Sequence, residues 1–189
     1  MTKKNQRMKM YDDIRQMRRI LREEIRKKHD RVLPFGEEMS DRREKAKYLR
    51  CGKGTTIYDS SIVFGDVKIG KNTWVGPFTV LDGSGGLIIG NNCGISSGVQ
   101  IYTHDTVKWR LSGGKTGYAY APVKIKDNCH IAPGSIISKG VTIGAHCLIG
   151  FHALILKDIP DNSIVFGVPG KIVGKVVIGK KGKIKLVYK

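Results

Sequence analysis

Residues 125–155 read IKDNCH IAPGSI ISKGVT IGAHCL IGFHAL I, and every group of six opens on isoleucine. Followed outward, the frame collects Ile57, Val63, Ile69, Val75 and Leu81, then Ile89, Ile95 and Ile101, and resumes at Ile125 for five steps to Ile155. The fifth position is mostly small, as at Ser61, Thr79, Cys93, Cys129, Ser135 and Ala153. An α-helix repeats every 3.6 residues and a half-buried strand every two, so neither has a period of six. A fixed short period marks a solenoid in which each coil buries one aliphatic rung per face. Three hexads close one triangular coil, so Ile125 is expected to stack on Ile143 and Ile131 on Ile149, with coils about 4.8 Å apart. The fold class is an all-β solenoid.

The frame slips twice. Two residues are added between Leu81 and Ile89, in Gly83-Ser84-Gly85-Gly86. Between Ile101 and Ile125 the interval is 24 residues, of which Ala119–Lys124 reads as coil, so residues 107–118 are expected to loop out. Excursions from a rigid scaffold are where sites are built, and this one leaves just after Thr103-His104-Asp105.

Charge separates the repeat from its ends. Residues 1–50 carry 17 Lys/Arg against 9 Asp/Glu, residues 51–170 carry 10 against 7, and residues 171–189 carry 7 against none, within a total of +18. Basic ends are open to nucleic acid, an anionic membrane surface or a phosphate-bearing ligand. No zinc-finger spacing, RNA-binding signature or interleaved aromatic pattern supports nucleic acid, which is set aside. The N-terminal lysines are followed by no apolar stretch of the signal-peptide type, and no run is long enough to span a bilayer. Cys93, Cys129 and Cys147 take the small fifth position and read as buried core thiols, so no metal or disulfide role is expected and a reducing cytoplasm is the expected compartment.

Three segments follow. Residues 1–50 form a basic helical region: Ile14, Met17, Leu21 and Ile25 make one stripe over 11–28, packed against this chain or a sister subunit, and a short helix spans 41–49. Residues 51–173 hold the solenoid with loop 107–118. Residues 174–189 alternate Lys with aliphatics around Gly179-Lys180-Lys181-Gly182, a basic hairpin.

The hexads, the segment Gly98-Val99-Gln100-Ile101-Tyr102-Thr103-His104 and the ending Lys157-Asp158-Ile159-Pro160 … Gly167-Val168-Pro169-Gly170-Lys171-Ile172 together resemble the hexapeptide-repeat acyltransferases. The resemblance covers about residues 57–173 and points to the xenobiotic, galactoside and maltose O-acetyltransferase branch and the envelope-sugar enzymes related to it. It implies a left-handed parallel β-helix, a homotrimer with active sites between subunits, and acetyl-CoA as co-substrate. His104 stands at the family's catalytic histidine and is expected to take the proton of a sugar hydroxyl by direct transfer, while a backbone N–H meets the oxyanion.

Asp82 keeps an acidic match and is expected to accept a hydrogen bond from the sugar; Asp105 is expected either to orient His104 or to start a turn. Trp109 and Tyr118 can stack on a sugar face, with Arg110 meeting a phosphate. The resemblance places the cofactor along the last coils, at His130, Ala132, Gly150, Phe151, Lys157, Pro169 and Lys171. His130 and Gly76 depart from the family's Trp and Asn, so the acceptor is expected to differ. The expected activity is acetyl-CoA-dependent O-acetylation of a free, nucleotide-linked or lipid-linked sugar of envelope polysaccharide, in the cytoplasm, with the basic ends reaching an anionic membrane face.

Two other classes compete. One is a metal hydratase like the γ-carbonic anhydrases: His146 and His152 occupy the same hexad position, and a twelve-residue loop puts His104 and His152 on one ladder. Their six-residue spacing does not match the five of that class. The other is a non-catalytic β-helix scaffold.

Overall fold

The computed structural model describes residues 3–189, which divide into two units between Asp41 and Arg42. In the first, α1 (Lys3–His29) is followed by α2 (Phe35–Met39). Helix α1 begins eight residues before the expected stripe, because Lys3–Met10 lacks Gly, Pro and β-branched residues and continues the helix at little cost. Pro34 stands just before α2, where its missing N–H costs nothing. Glu38 of α2 is buried, and its carboxylate accepts hydrogen bonds from Arg22 at 2.6 Å and Arg18 at 3.4 Å. Leu21 and Ile25 are half-buried, whereas Ile14 and Met17 stay exposed within this unit.

The second unit opens with α3 (Arg42–Tyr48), whose Ala46 joins the core beside the first coil. Lys45 fixes it there by donating to the carbonyls of Asp59 (2.6 Å) and Ser61 (2.8 Å). The left-handed parallel β-helix then runs for five coils. Its first face stacks Ile57, Val75, Ile95, Ile131, Ile149 and Val165 in parallel register. The second stacks Val63, Leu81, Ile101, Ile137 and Ile155, and the third Ile69, Ile89, Ile125, Ile143 and Ile159. Ile125 on Ile143 and Ile131 on Ile149 pair as expected. Strands of two residues suffice because their backbone hydrogen bonds run to the coil before or after, beside a few short turns at the corners.

Cys93, Cys129 and Cys147 are buried one above another, and each thiol donates to a carbonyl of the adjoining coil: Lys126 at 3.2 Å, Gly144 at 2.9 Å and Pro160 at 3.2 Å. Thr55 and Thr73 extend the ladder in the same way, to the Gly70 and Gly90 carbonyls, whereas Ser163 donates to the Pro160 carbonyl three residues before it. The corner between the third face and the next coil needs a left-handed residue, met by Asn72, Asn92, Asn128, His146 and Asn162 with φ between 53° and 61°. Asn adopts that region at low cost. Beyond the last coil, strands Lys171–Ile178 and Ile184–Tyr188 form the expected basic hairpin, the first of them crossing residue 173 to pair antiparallel with Ser163–Phe166.

The rungs set the stability of the solenoid. Ile137 is fully buried in the fourth coil, so Ile137→Ala leaves a cavity that the coils above and below are held from closing. Chemical denaturation should show a loss of about 2–5 kcal/mol, against less than about 1 kcal/mol for a change at exposed Lys124.

Candidate active site

All three departures from the six-residue step lie at one corner, between the second and third faces. In the second coil two residues are added after Leu81; in the third, the excursion leaves after Ile101; in the fifth, Ile155 and Ile159 are four apart. The excursion is longer than the spacing suggests. Ile101 stacks on Ile137 and Ile125 on Ile143, a step of six in the neighbouring coil and 24 here, so 18 residues are extra rather than twelve. It runs from Thr103 to Tyr120: His104–Asp105 pairs antiparallel with Ala119–Tyr120, and Ala121 N–H closes it on the Thr103 carbonyl at 2.9 Å. Ala119-Tyr120 therefore belongs to the excursion and not to a coil. Within it, α4 (Val107–Leu111) starts where Asp105 Oδ1 accepts from the Val107 N–H at 3.0 Å.

Two slips in successive coils bring Asp82 against His104. His104 Nδ1 lies 2.6 Å from Asp82 Oδ2, which also accepts from Thr103 N–H at 2.8 Å, while Asp82 Oδ1 accepts from Ser84 N–H at 2.8 Å. Thr103 is buried; its hydroxyl donates to the Asp82 carbonyl at 2.9 Å and accepts from Gly85 N–H at 2.8 Å. Only glycine fits at 85, where a Cβ would stand 2.4 Å from the Thr103 carbonyl oxygen. Gly83-Ser84-Gly85-Gly86 thus turns the Ser84 amide onto the Asp82 carboxylate and the Gly85 amide onto the Thr103 hydroxyl.

Burial works against ionisation of Asp82, but hydrogen bonds from Ser84, Thr103 and His104 outweigh it and hold the carboxyl down at about 2. An ionised Asp82 accepts the Nδ1–H of His104, which assigns the tautomer and leaves Nε2 with its lone pair. The expected sugar contact at Asp82 is corrected: its side chain is wholly buried behind the imidazole, with no face left for an acceptor. Asp105 does not orient His104 either. It caps α4 and pairs with Lys139 at 3.1 Å, and these contacts lower its carboxyl's pKa, the Val107 amide most.

The excursion carries a chain of rings that ends on His104. Arg110 lies over Trp109 at 4.5 Å, Trp109 meets Tyr118 edge-on at 5.5 Å, Tyr118 approaches Tyr120 at 6.5 Å, and Tyr120 stacks on His104 at 5.9 Å. Trp109, Tyr118 and Arg110 thus stand on the side of His104, joined through Tyr120, which the repeat frame hid. An alternation of aromatics at 118 and 120 was the signal available in the sequence.

The cofactor set divides. Lys157 and Pro169 line one cavity of about 250 Å³ with Leu154, Leu156 and Gly170, next to Lys171. Lys157 is on the His104 corner two coils further on, roughly 10 Å along the axis. Ala132 and Gly150 are buried at the corner between the first and second faces, where Phe151 is exposed. The backbone at Gly150 is not open, since the Phe166 ring covers it. His130 faces a different cavity, with His146 and the C-terminal hairpin. His104, His146 and His152 occupy three different corners, because the longer excursion removes the common ladder of His104 and His152. Among the described residues no group of three or more His, Cys, Asp or Glu converges to hold a metal.

The fold and the corner define a hexapeptide-type β-helix with a His–Asp pair at an excursion. The bacterial transferase hexapeptide (six repeats) family matches residues 122–157. A serine acetyltransferase of Bacillus pumilus is 34% identical over 126 residues, 66% of this chain and 55% of that protein. Among solved structures, AntD, an N-acyltransferase from Bacillus cereus in complex with dTDP-4-amino-4,6-dideoxyglucose and coenzyme A, aligns at TM-score 0.61 and 23% identity, over 66% of this chain and 71% of that one. A maltose O-acetyltransferase from Clostridium difficile 630 aligns at 0.57 and 24%, over 87% and 84%. These two likenesses are of fold. Over residues 122–157 the chain carries the repeat that the hexapeptide family's model describes. It spans about half the length of the curated relatives it matches.

The Asp82 carboxyl gives the site a pH signature. Its folded value lies below the ordinary 3.8, so its contribution is complete above about pH 4 and is lost as pH falls towards 2. Unfolding free energies between pH 6 and 2.5 should show a loss on the order of 2 kcal/mol from this group, and Asp82→Asn should remove that part of the slope.

Proposed function

We propose that the protein is an acetyl-CoA-dependent O-acetyltransferase acting on a sugar hydroxyl, of the kind carried by free, nucleotide-linked or lipid-linked building blocks of envelope polysaccharide. The observation that carries this reading is His104, tied at Nδ1 to buried, ionised Asp82 and free at Nε2, at the mouth of a ring-lined excursion. A hydroxyl is a weak nucleophile at neutral pH, and a neutral imidazole within reach of its proton can accept it as the oxygen attacks. Asp82 then stabilises the imidazolium without taking the proton itself. Acetyl-CoA, when bound, supplies an activated acyl thioester. No serine or cysteine nucleophile is required, which agrees with Cys93, Cys129 and Cys147 being buried structural donors.

The cavity at Lys157, Pro169 and Gly170 fits the phosphate-bearing end of the cofactor: Lys157 and Lys171 supply point charges, and the apolar lining suits the remainder. Phe151 stands at another corner of the same copy, with Ala132 and Gly150 buried beneath it, so it would meet the cofactor only from a neighbouring subunit of a homotrimer. Trp109 and Tyr118 supply a stacking surface for the acceptor and Arg110 a cation for an anionic substituent. The basic ends support peripheral contact with an anionic membrane; no helix of the described residues is long and apolar enough to cross one.

His104→Ala should lower acetyl transfer by about 10²–10⁴-fold while coenzyme A still binds in calorimetry; retained turnover would sink the assignment. The acceptor is found by following thiol release from acetyl-CoA across sugars, nucleotide sugars, amino sugars and serine. Turnover confined to amines would replace O- with N-acetylation. With an acceptor in hand, Trp109→Ala should raise its KM about tenfold and leave the KM for acetyl-CoA unchanged.

A further inference from the structure

The C-terminal hairpin is two-faced, and its apolar face is not packed. Val176 pairs with Leu186 and Ile178 with Ile184 across the two strands, so these four side chains share one wholly apolar face, while the intervening pairs, Lys175 with Val187 and Val177 with Lys185, make the other face a mixture of Lys and Val. A hairpin of this pattern ordinarily closes onto the coil beside it. Here the four residues form one wall of a cavity of about 540 Å³, whose opposite wall is Leu148, His130 and the corner residues Asn128 and His146. Ile178, Ile184 and Leu186 remain 45%, 58% and 41% exposed. The tip that borders the cavity, at Gly182, is flanked by Lys180, Lys181 and Lys183, and residues 171–189 contain seven lysines and no acidic residue.

We infer that this cavity is a binding site for an anionic amphiphile, with the lipid's apolar chain against Val176, Ile178, Ile184 and Leu186 and its phosphate at the lysine tip. The size and lining are those of a small-molecule site, mainly apolar with a few convergent polar groups. The charge selects the head group: a tip of three lysines without a carboxylate favours a phosphate diester over a zwitterion. The inference is independent of acyl transfer, since none of these hairpin residues belongs to the proposed reaction.

The test uses the full chain and dihexanoyl phosphatidylglycerol below its micellar concentration, titrated by calorimetry. The expected result is saturable binding at least tenfold tighter than to the choline analogue, weakened by salt. Ile178→Asp with Ile184→Asp should abolish binding of both lipids. Lys180→Gln, Lys181→Gln and Lys183→Gln together should leave the chain site intact and equalise the two head groups. Co-sedimentation with phosphatidylglycerol vesicles would identify the bilayer as the source of the lipid, whereas binding of the monomeric lipid without sedimentation would identify a soluble lipid-linked phosphate.

Four outcomes overturn the inference. Equal affinity of the unaltered protein for the two lipids removes the charge argument, and equally tight binding of inorganic phosphate removes the apolar one. Displacement of the lipid by coenzyme A assigns the cavity to the cofactor. A smaller oligomer for the Ile178→Asp, Ile184→Asp variant in sedimentation equilibrium assigns the apolar face to a second copy of the chain.

Discussion

Backbone hydrogen bonding between successive coils governs everything else in this molecule. Each face contributes strands of mostly two residues per coil, and each strand is satisfied only by the coils on either side. A coil cannot change length gradually, because a shift of one residue would turn its rung outward and orphan its amides. Departures must be absorbed between rungs. The chain does this at a single corner, by a two-residue bulge, an eighteen-residue excursion sealed at Thr103 and Ala121, and a shortening before Ile159. The rungs on both sides, Leu81, Ile89, Ile101 and Ile125, remain fully buried throughout.

That constraint also accounts for the chemistry. Asp82 and His104 are 22 residues apart in sequence but belong to adjacent coils at the same corner, so the spacing between coils brings their side chains within a hydrogen bond. A surface aspartate would be dissolved in water and hold a histidine loosely. The amides of Ser84 in the bulge and of Thr103 in the next coil donate to Asp82 and keep it ionised while it is buried, and an ionised buried acceptor is what fixes one tautomer of the imidazole. The cost of burying a carboxylate is offset by groups the scaffold already had to place at the slip.

The sequence shows clearly whatever repeats. One buried aliphatic residue per face, a small hydrogen-bonding residue at the fifth position and a left-handed corner every coil all leave marks at fixed intervals, and the faces, the thiol ladder and the hairpin were readable from them. His104 was readable because the ruler fails beside it. The role of Asp82 was not, since a hexad frame gives a residue's corner but not whether its carboxylate points to solvent or to the next coil. The true length of the excursion was hidden by Ala119–Lys124, which satisfies the frame while its first two residues pair with His104–Asp105. Likewise, His130 and Gly150 keep their places in the frame, yet a hairpin cavity and the Phe166 ring decide what each one meets.

The distribution of charge follows from the same stacking. In a parallel in-register solenoid, equivalent positions of successive coils lie about 4.8 Å apart, so a repeated lysine would become a column of like charges, which is destabilising. Some of the charged residues along the coils are matched: Lys126 meets Asp161 at 3.1 Å, and Asp127 accepts from Asn91 one coil away, while Lys53 and Lys71 are one instance of a repeated lysine. Residues 51–170 are accordingly close to neutral, and the excess positive charge is carried by α1 and the C-terminal hairpin, which stack on no copy of themselves. A basic surface can therefore change on these appendages without disturbing a rung. The scaffold holds the His104–Asp82 pair still, and the appendages carry the charge that the coils cannot stack.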